Sequence, residues 1–296
     1  MRNYLVQLLK FTIIPILFCV LVFVLFITKK EKRKDIWHDI SISNKIILMG
    51  DSEIKRIPPS AISDSTYNYA TIAEHHYFTY LKLKNLLSYP DSNINTVVLG
   101  LSVHNFAPIF EKYFSSKTAR GNSSFERYLY DLPYKNNDFI DFFSFQKKLV
   151  SYFPDLLKDD TDWGYVESLS ENPSDKIVGD AIDLHYNHPN TTMCLSQLEY
   201  LEKIVNLCTT NNIRLVVVSM PVHFKYKINV EEKYYTILAD FIKQNPDIEY
   251  QNYLHLDIDS KYMADGNHLN TNGGILIGNY IKERLKVKTR NSVYTK

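Results

Sequence analysis

The chain predicts an α/β fold with a parallel sheet covered on both faces, preceded by one apolar helix. Three observations carry this. Short apolar runs stop at turn residues: "NKIILMG" at Gly50, "INTVVLGLS" at Ser102 and "IRLVVVSMPVH" just past Pro221. Their length and their Ile and Val content suit buried strands. Segments of helical character alternate with them, the pattern of a parallel sheet packed on both sides. Third, Phe11–Ile27 carries no charge at all.

That N-terminal stretch is close to the shortest apolar length that spans a bilayer. Leu5, Val6, Leu8 and Leu9 extend it, and Pro15 introduces a kink that membrane helices tolerate. No small-residue cleavage site follows, so residues 1–28 read as an uncleaved transmembrane anchor. Residues 29–43 read as a charged linker, and 44–288 as the α/β domain. The last residues, 289–296, read as a polar tail. The flanking charges put Lys29, Lys30, Lys32, Arg33 and Lys34 on the far side of the span, against Arg2 and Lys10 on the near side. Taken alone, they place the large domain in the cytoplasm.

Within the domain, "STYNYA" (Ser65–Ala70) follows the first strand as a second. "IAEHHYFTYLKLKNLLSYP" reads as a helix ended by Pro90, with His75 and His76 facing solvent. Ile94–Ser102 is a third strand and Ile213–His223 a fourth. "VEEKYYTILADFIKQNP" is helical, "EYQNYLHLD" is a further strand, and Thr271–Leu285 is the last helix. The rhythm breaks from 106 to 191, a polar and aromatic stretch that reads as an insertion, a lid or acceptor-binding cap over the strand ends. Trp163 within it would stack on a sugar ring or pack in a core.

Composition narrows the function. Lys plus Arg is 34 and Asp plus Glu is 33, a net charge of +1. A nucleic-acid binder normally carries a basic excess, so none is expected. Tyr at 22 and Phe at 16 suit core edges and sugar-facing clefts alike. The three cysteines, Cys19, Cys194 and Cys208, make no disulfide framework. Cys194 and Cys208 share one candidate helix, "TTMCLSQLEYLEKIVNLCTTNN", where ~21 Å of helix would separate them. No CxxC, HExxH or His-x-His spacing occurs, so neither metal nor cofactor is expected.

Chemistry concentrates in two short stretches. "GDSE" (Gly50–Glu53) puts Ser52 at the end of the first strand, and "DGNH" (Asp265–His268) stands before the last helix. A carboxylate at i and an imidazole at i+3 share a face of a turn. The carboxylate can fix the imidazole tautomer, and the imidazole can take a proton from a serine. Parallel sheets hold ligands at the carboxyl ends of their strands, and Ser52, Ser102 and His223 all follow strand ends. Plainer roles exist for each: a turn serine at Ser52, a packing histidine at His268, a surface histidine at His223, a loop arginine at Arg56. His104, beside the third strand end, is open to either role.

Together, "GDSE", "DGNH" and the following "LNTNGG" resemble the SGNH, or GDSL-like, hydrolase family over residues 44–105 and 195–285. The resemblance implies a flavodoxin-like three-layer α/β/α sandwich. It implies Ser52 as nucleophile, His268 as general base and Asp265 as its orienting partner. The family's glycine after the second strand is missing from "NYATIAE", where Thr71 or Ala73 takes its place. The family's asparagine after the third strand aligns with Ser102, and Asn105 comes three residues late. Ala73, Ser102, Asn105 and His223 are therefore the oxyanion or substrate candidates.

The anchor, the early Gly-Asp-Ser and the late Asp-x-x-His-Leu-Asn also resemble membrane-anchored members that modify envelope polysaccharides. These include alginate O-acetylation proteins and the D-alanyl transfer protein of teichoic acids. That resemblance implies O-acyl, chiefly O-acetyl, transfer or ester hydrolysis on a cell-envelope glycan. It implies a multi-spanning membrane-bound O-acyltransferase as partner, and a domain on the outer face of the cytoplasmic membrane, against the flanking charges. The other class consistent with the sequence is a catalytically degenerate scaffold that binds a glycan or that acyltransferase.

Overall fold

A computed structural model describes residues 2–114, 163–187 and 192–293. The order along the chain starts with helix α1 (Arg2–Ser43), strand β1 (Ile46–Met49), the one-turn helix α2 (Ser52–Lys55), β2 (Thr66–Asn68), α3 (His76–Leu86), β3 (Thr96–Gly100) and α4 (Pro108–Phe114). Next come α5 (Asp175–Tyr186), α6 (Ser196–Thr210), β4 (Arg214–Ser219), α7 (Phe224–Lys227), α8 (Glu232–Gln244), β5 (Glu249–Asn252) and α9 (Thr271–Val293). Among the described residues one five-stranded sheet forms, in the order β2-β1-β3-β4-β5, with every pair parallel. This is the flavodoxin-like three-layer α/β/α sandwich.

Ile47 and Met49 of β1, Val97 and Leu99 of β3 and Val217 of β4 point to one face. There they meet Trp37 of α1, Leu83 and Leu86 of α3, Leu201 and Ile204 of α6, and Leu238 and Phe241 of α8. Leu48, Val98, Val216 and Val218 point to the other face, against Ile54 of α2 and Ile277, Ile281 and Leu285 of α9. The period-two alternation of a strand thus feeds two cores.

Residues 29–43, expected as a linker, are helical and continue the apolar helix without a break. Their amphipathic pattern explains this: Trp37 and Ile40 are buried against the sheet layer, and no Gly or Pro interrupts them. The helix also runs through Pro15. Phe11–Ser43 contains a window long and apolar enough to cross a membrane. The expected tail from 289 is likewise helical as far as Val293. Cys194 lies before α6 rather than in it, and all three cysteines are unbridged. Of the expected insertion, residues 115–162 and 188–191 lie outside the described residues, and with them most of the lid or cap.

Two glycines set how closely the site elements approach. Gly50 has φ +125°, a left-handed conformation that lets the chain turn sharply out of β1. Gly274 packs so close to the Arg56 carbonyl that an added Cβ would stand 2.1 Å from its oxygen. This contact brings the start of α9 against the end of α2. Gly274→Ala should therefore cost about 2 kcal/mol of stability through overpacking, read as a lower denaturation midpoint. A midpoint equal to the wild type would show that the contact is not a constraint.

Candidate active site

The sheet's switch point lies where β1 and β3 sit side by side while their chains depart in opposite directions. Open α/β sheets place ligands in the crevice there. Asp51 caps α2 with its side chain, Oδ1 accepting from Glu53 N–H at 3.0 Å. Ser52 is therefore the first residue of a helix, where the N–H has no carbonyl one turn earlier to bond. Its side chain is half-buried, whereas Asp51 and Glu53 on either side are buried.

The loop before α9 brings the second half. His268 Nε2 lies 2.7 Å from Ser52 Oγ, across 216 residues of sequence. His268 Nδ1 lies 2.8 Å from Asp265 Oδ2 and 3.0 Å from Oδ1. Asp265 Oδ1 also accepts from the backbone N–H of Asn267 at 3.0 Å and of His268 at 2.8 Å. Burial opposes the charge on Asp265. The His268 hydrogen bond and these N–H groups outweigh it and hold the carboxyl at about 2. An ionised Asp265 accepts from Nδ1–H, which fixes the tautomer with Nε2 as the acceptor for the serine hydroxyl. The structure thus brings Ser52, His268 and Asp265 into one hydrogen-bonded chain.

Beneath Ser52 lies a buried ionic network that sequence reasoning missed. His104 Nε2 stands 2.6 Å from Asp51 Oδ2, and Nδ1 stands 3.0 Å from Glu53 Oε1. The second contact is close but poorly aligned as a hydrogen bond. Asn105 Nδ2 donates to Asp51 Oδ2 at 2.6 Å, and Ser102 Oγ donates to Glu53 Oε2 at 2.6 Å. Burial opposes the charge on His104, but Glu53 and Asp51 together raise it to about 10. Burial also opposes the charge on Asp51. The His104 charge and hydrogen bond, with the Glu53 N–H, hold it at about 2.

This network bears on two of the candidates. The Ser102 and Asn105 side chains are turned inward and committed: Ser102 Oγ also accepts from Met220 N–H at 3.2 Å, and Asn105 Oδ1 accepts from Ser102 N–H at 2.7 Å. The Ser102 hydroxyl is thereby spent, and the Asn105 side chain is buried with both its oxygen and its amide engaged in the interior. Ala73 stands at the turn between β2 and α3 with φ 53°, the left-handed conformation that a glycine would adopt freely. His223 sits at the rim, where its N–H donates to Gly266 O at 3.0 Å and its Nδ1 accepts from Lys225 N–H at 3.2 Å.

One further expectation changes. His75 and His76 are buried, not solvent-facing. His75 caps α3 through its ring, and His76 Nδ1 meets Gln197 Oε1 at 2.6 Å. Trp163 packs in the core, edge-on to Tyr69 at 5.1 Å with the Arg33 guanidinium 4.6 Å above its ring. Arg56 Nη1 reaches the carbonyls of Val166 and Glu167, both at 3.4 Å.

The Ala73 turn rests on a second buried ion pair. Lys82 Nζ lies 2.5 Å from Glu74 Oε2, and both side chains are fully buried. Lys82 also donates to Tyr69 O at 2.6 Å and Thr71 Oγ1 at 3.2 Å. A third cluster lies under the Asp265–His268 loop. His185 of α5 stacks beside His104 at 5.4 Å, and its Nδ1 meets the Tyr226 hydroxyl. Burial, reinforced by the His104 charge, pushes His185 down to about 3. No metal-ligating group of three or more His, Cys, Asp or Glu occurs among the described residues.

No family model matches the chain, and no curated protein matches it. Among solved structures, the chain is similar to one described as "a putative platelet activating factor from Streptococcus pneumonia". Identity is 11%, coverage is 96% of this chain and 100% of that one, and the TM-score is 0.46. A likeness of that degree carries no weight for the chemistry. What fold and geometry define is a flavodoxin-like α/β protein with a Ser-His-Asp hydrogen-bonded chain at the carboxyl edge of its sheet.

The His104 charge gives stability a pH signature. A histidine raised from 6.5 to about 10 contributes fully below pH 6.5 and loses that contribution as pH rises through 10. Denaturation midpoints of the full chain in detergent should fall between pH 7 and 10.5. His104→Gln should lower stability by about 3 kcal/mol, because two buried carboxylates lose their cation, and should remove most of that pH dependence. A wild-type midpoint constant to pH 10.5 would contradict a buried imidazolium.

Proposed function

We propose that the protein is a serine-dependent esterase or O-acyltransferase of the SGNH type, acting on O-acyl, chiefly O-acetyl, groups of a cell-envelope glycan. The observation that carries the reading is the unbroken chain from Ser52 Oγ through His268 to Asp265, at 2.7 Å and 2.8 Å. As Ser52 Oγ attacks the acyl carbon, its proton passes to His268 Nε2. Asp265 holds Nδ1–H and stabilises the imidazolium. The backbone N–H of Ser52, at the start of α2, and that of Ala73 are the oxyanion donors in this scheme. His268 then returns the proton to the leaving alkoxide, which departs and leaves the acyl group on Ser52. In the second half His268 deprotonates an incoming hydroxyl, whose oxygen takes the acyl group as the bond to Ser52 Oγ breaks, and His268 returns the proton to Oγ. Water as acceptor gives hydrolysis, and a sugar hydroxyl gives transfer.

The membrane helix and the motif resemblance support a place on the outer face of the cytoplasmic membrane, beside a multi-spanning O-acyltransferase. One observation favours the scaffold reading instead: the Ser102 hydroxyl donates to Glu53 and the Asn105 amide to Asp51, both in the interior, so among the described residues neither of these two side chains is turned toward the backbone oxyanion donors. Loss of one such donor costs ~10²–10³ in rate in other enzymes.

Turnover of an aryl acetate separates the two. Ser52→Ala and His268→Ala should each lower kcat by at least ~10³, and Asp265→Asn by a similar order. Added acetylatable oligosaccharide should divert the acetyl group from water if transfer is the role. Turnover by the wild type no faster than by Ser52→Ala would favour the scaffold.

A further inference from the structure

The direction of α1 says which face of the domain meets the membrane. At its C-terminal end, Ser41 O accepts from Asn93 N–H, ahead of the amino end of β3. One turn back, Trp37 packs edge-on to Tyr69, just past the end of β2. Another turn back, Arg33 lies over Trp163, and Trp163 bridges Thr71. Thr71 in turn donates its N–H to Gly50 O, at the carboxyl edge. The helix therefore runs antiparallel to the strands, and its apolar part leaves over the edge that holds Ser52.

The distance is short. From Arg33 to Ile27, where the apolar stretch ends, the helix rises only ~9 Å. A headgroup layer is itself ~6–8 Å deep. Three separate segments of the chain place exposed apolar side chains on the same edge. Ile72 is 52% exposed beside Ala73, and Phe224 is 55% exposed beside His223. Leu169 is 86% exposed, and its neighbour Ser168 bonds Thr271 at the start of α9. Exposed apolar tips on an edge that an apolar helix carries toward the bilayer form a membrane-facing rim.

We infer that the catalytic edge faces the bilayer, and that the site takes its acyl group from an ester presented at the bilayer surface, a lipid-borne donor. The substrate class rests on the nucleophile reading above, whereas the facing does not. Transfer follows the steps already given: Ser52 gains the acyl group, and the lipid leaves as its alcohol with the proton from His268.

Two measurements on the full chain in phospholipid vesicles test this. The first uses nitroxide labels at Phe224→Cys and, on the opposite edge, Asn211→Cys. The background is Cys19→Ser; Cys194 and Cys208 are buried with thiols pushed up to about 12. The two edges stand ~20 Å apart. Nickel chelated on lipid headgroups should relax the label at 224 strongly and the label at 211 hardly at all. Equal relaxation, or stronger relaxation at 211, would overturn the facing. The second compares a long-chain aryl ester embedded in the vesicles with the soluble acetate of the same phenol. Leu169→Asp should lower turnover of the embedded ester by ~10-fold or more and leave the soluble one unchanged. A membrane-facing label with equal effects on both esters would overturn the lipid donor and make a membrane protein the partner of this edge. Loss of both esters in the wild type would sink the nucleophile reading, while the label result still decides the facing.

Discussion

The contact between Asp51 and His104, 2.6 Å long and out of reach of water, is the constraint on which the site depends. An imidazolium between two carboxylates is costly to bury, and losing one partner costs more than the trio contributes. Further donors support the two carboxylates: Asn105 Nδ2 and the Glu53 N–H on Asp51, and Ser102 Oγ on Glu53. The consequence for Ser52 is geometric. Its neighbours on both sides are held inward, so the residue between them points outward from the edge. His268 meets it there because Gly274 lets α9 close onto the carbonyl of Arg56.

The other side of the crevice uses the same device. Lys82 and Glu74 form a dry pair that ties the Ala73 turn to Tyr69 and Thr71. Ala73 holds a left-handed φ at a cost of about 1 kcal/mol, and the clamp on both flanks sustains it. A turn held in place by buried charge can present its N–H groups without the glycine that would otherwise be expected. Helix α5 closes the arrangement from below, since His185 and Tyr226 connect the His104 network to the floor of the Asp265–His268 loop.

Much of this was legible in the sequence, and the exceptions share a cause. Strands β1, β3 and β4 announce themselves because each is a buried apolar run ended by a turn. Ser52, Asp265 and His268 sit in short motifs whose spacing carries their geometry. His104, by contrast, pairs with residues some fifty positions away, and pairing between two strand ends leaves no periodic trace. Asp51 and Glu53 stand inside the "GDSE" motif, where nothing in the spacing marks them as buried partners of a histidine. Lys82 is flanked by Leu81 and Leu83 on a helix, where a lysine reads as the solvated face. The expected linker failed for another reason: its charges masked Trp37 and Ile40, one helical turn apart, which dock the helix on the domain.

The central claim is that this scaffold makes Ser52 a nucleophile. Intact mass after exposure of the full chain to a fluorophosphonate tests it most directly. One adduct on the wild type, absent from Ser52→Ala and slower to form in His268→Ala, is the predicted result. No adduct on folded protein, or an adduct that persists in Ser52→Ala, would contradict it.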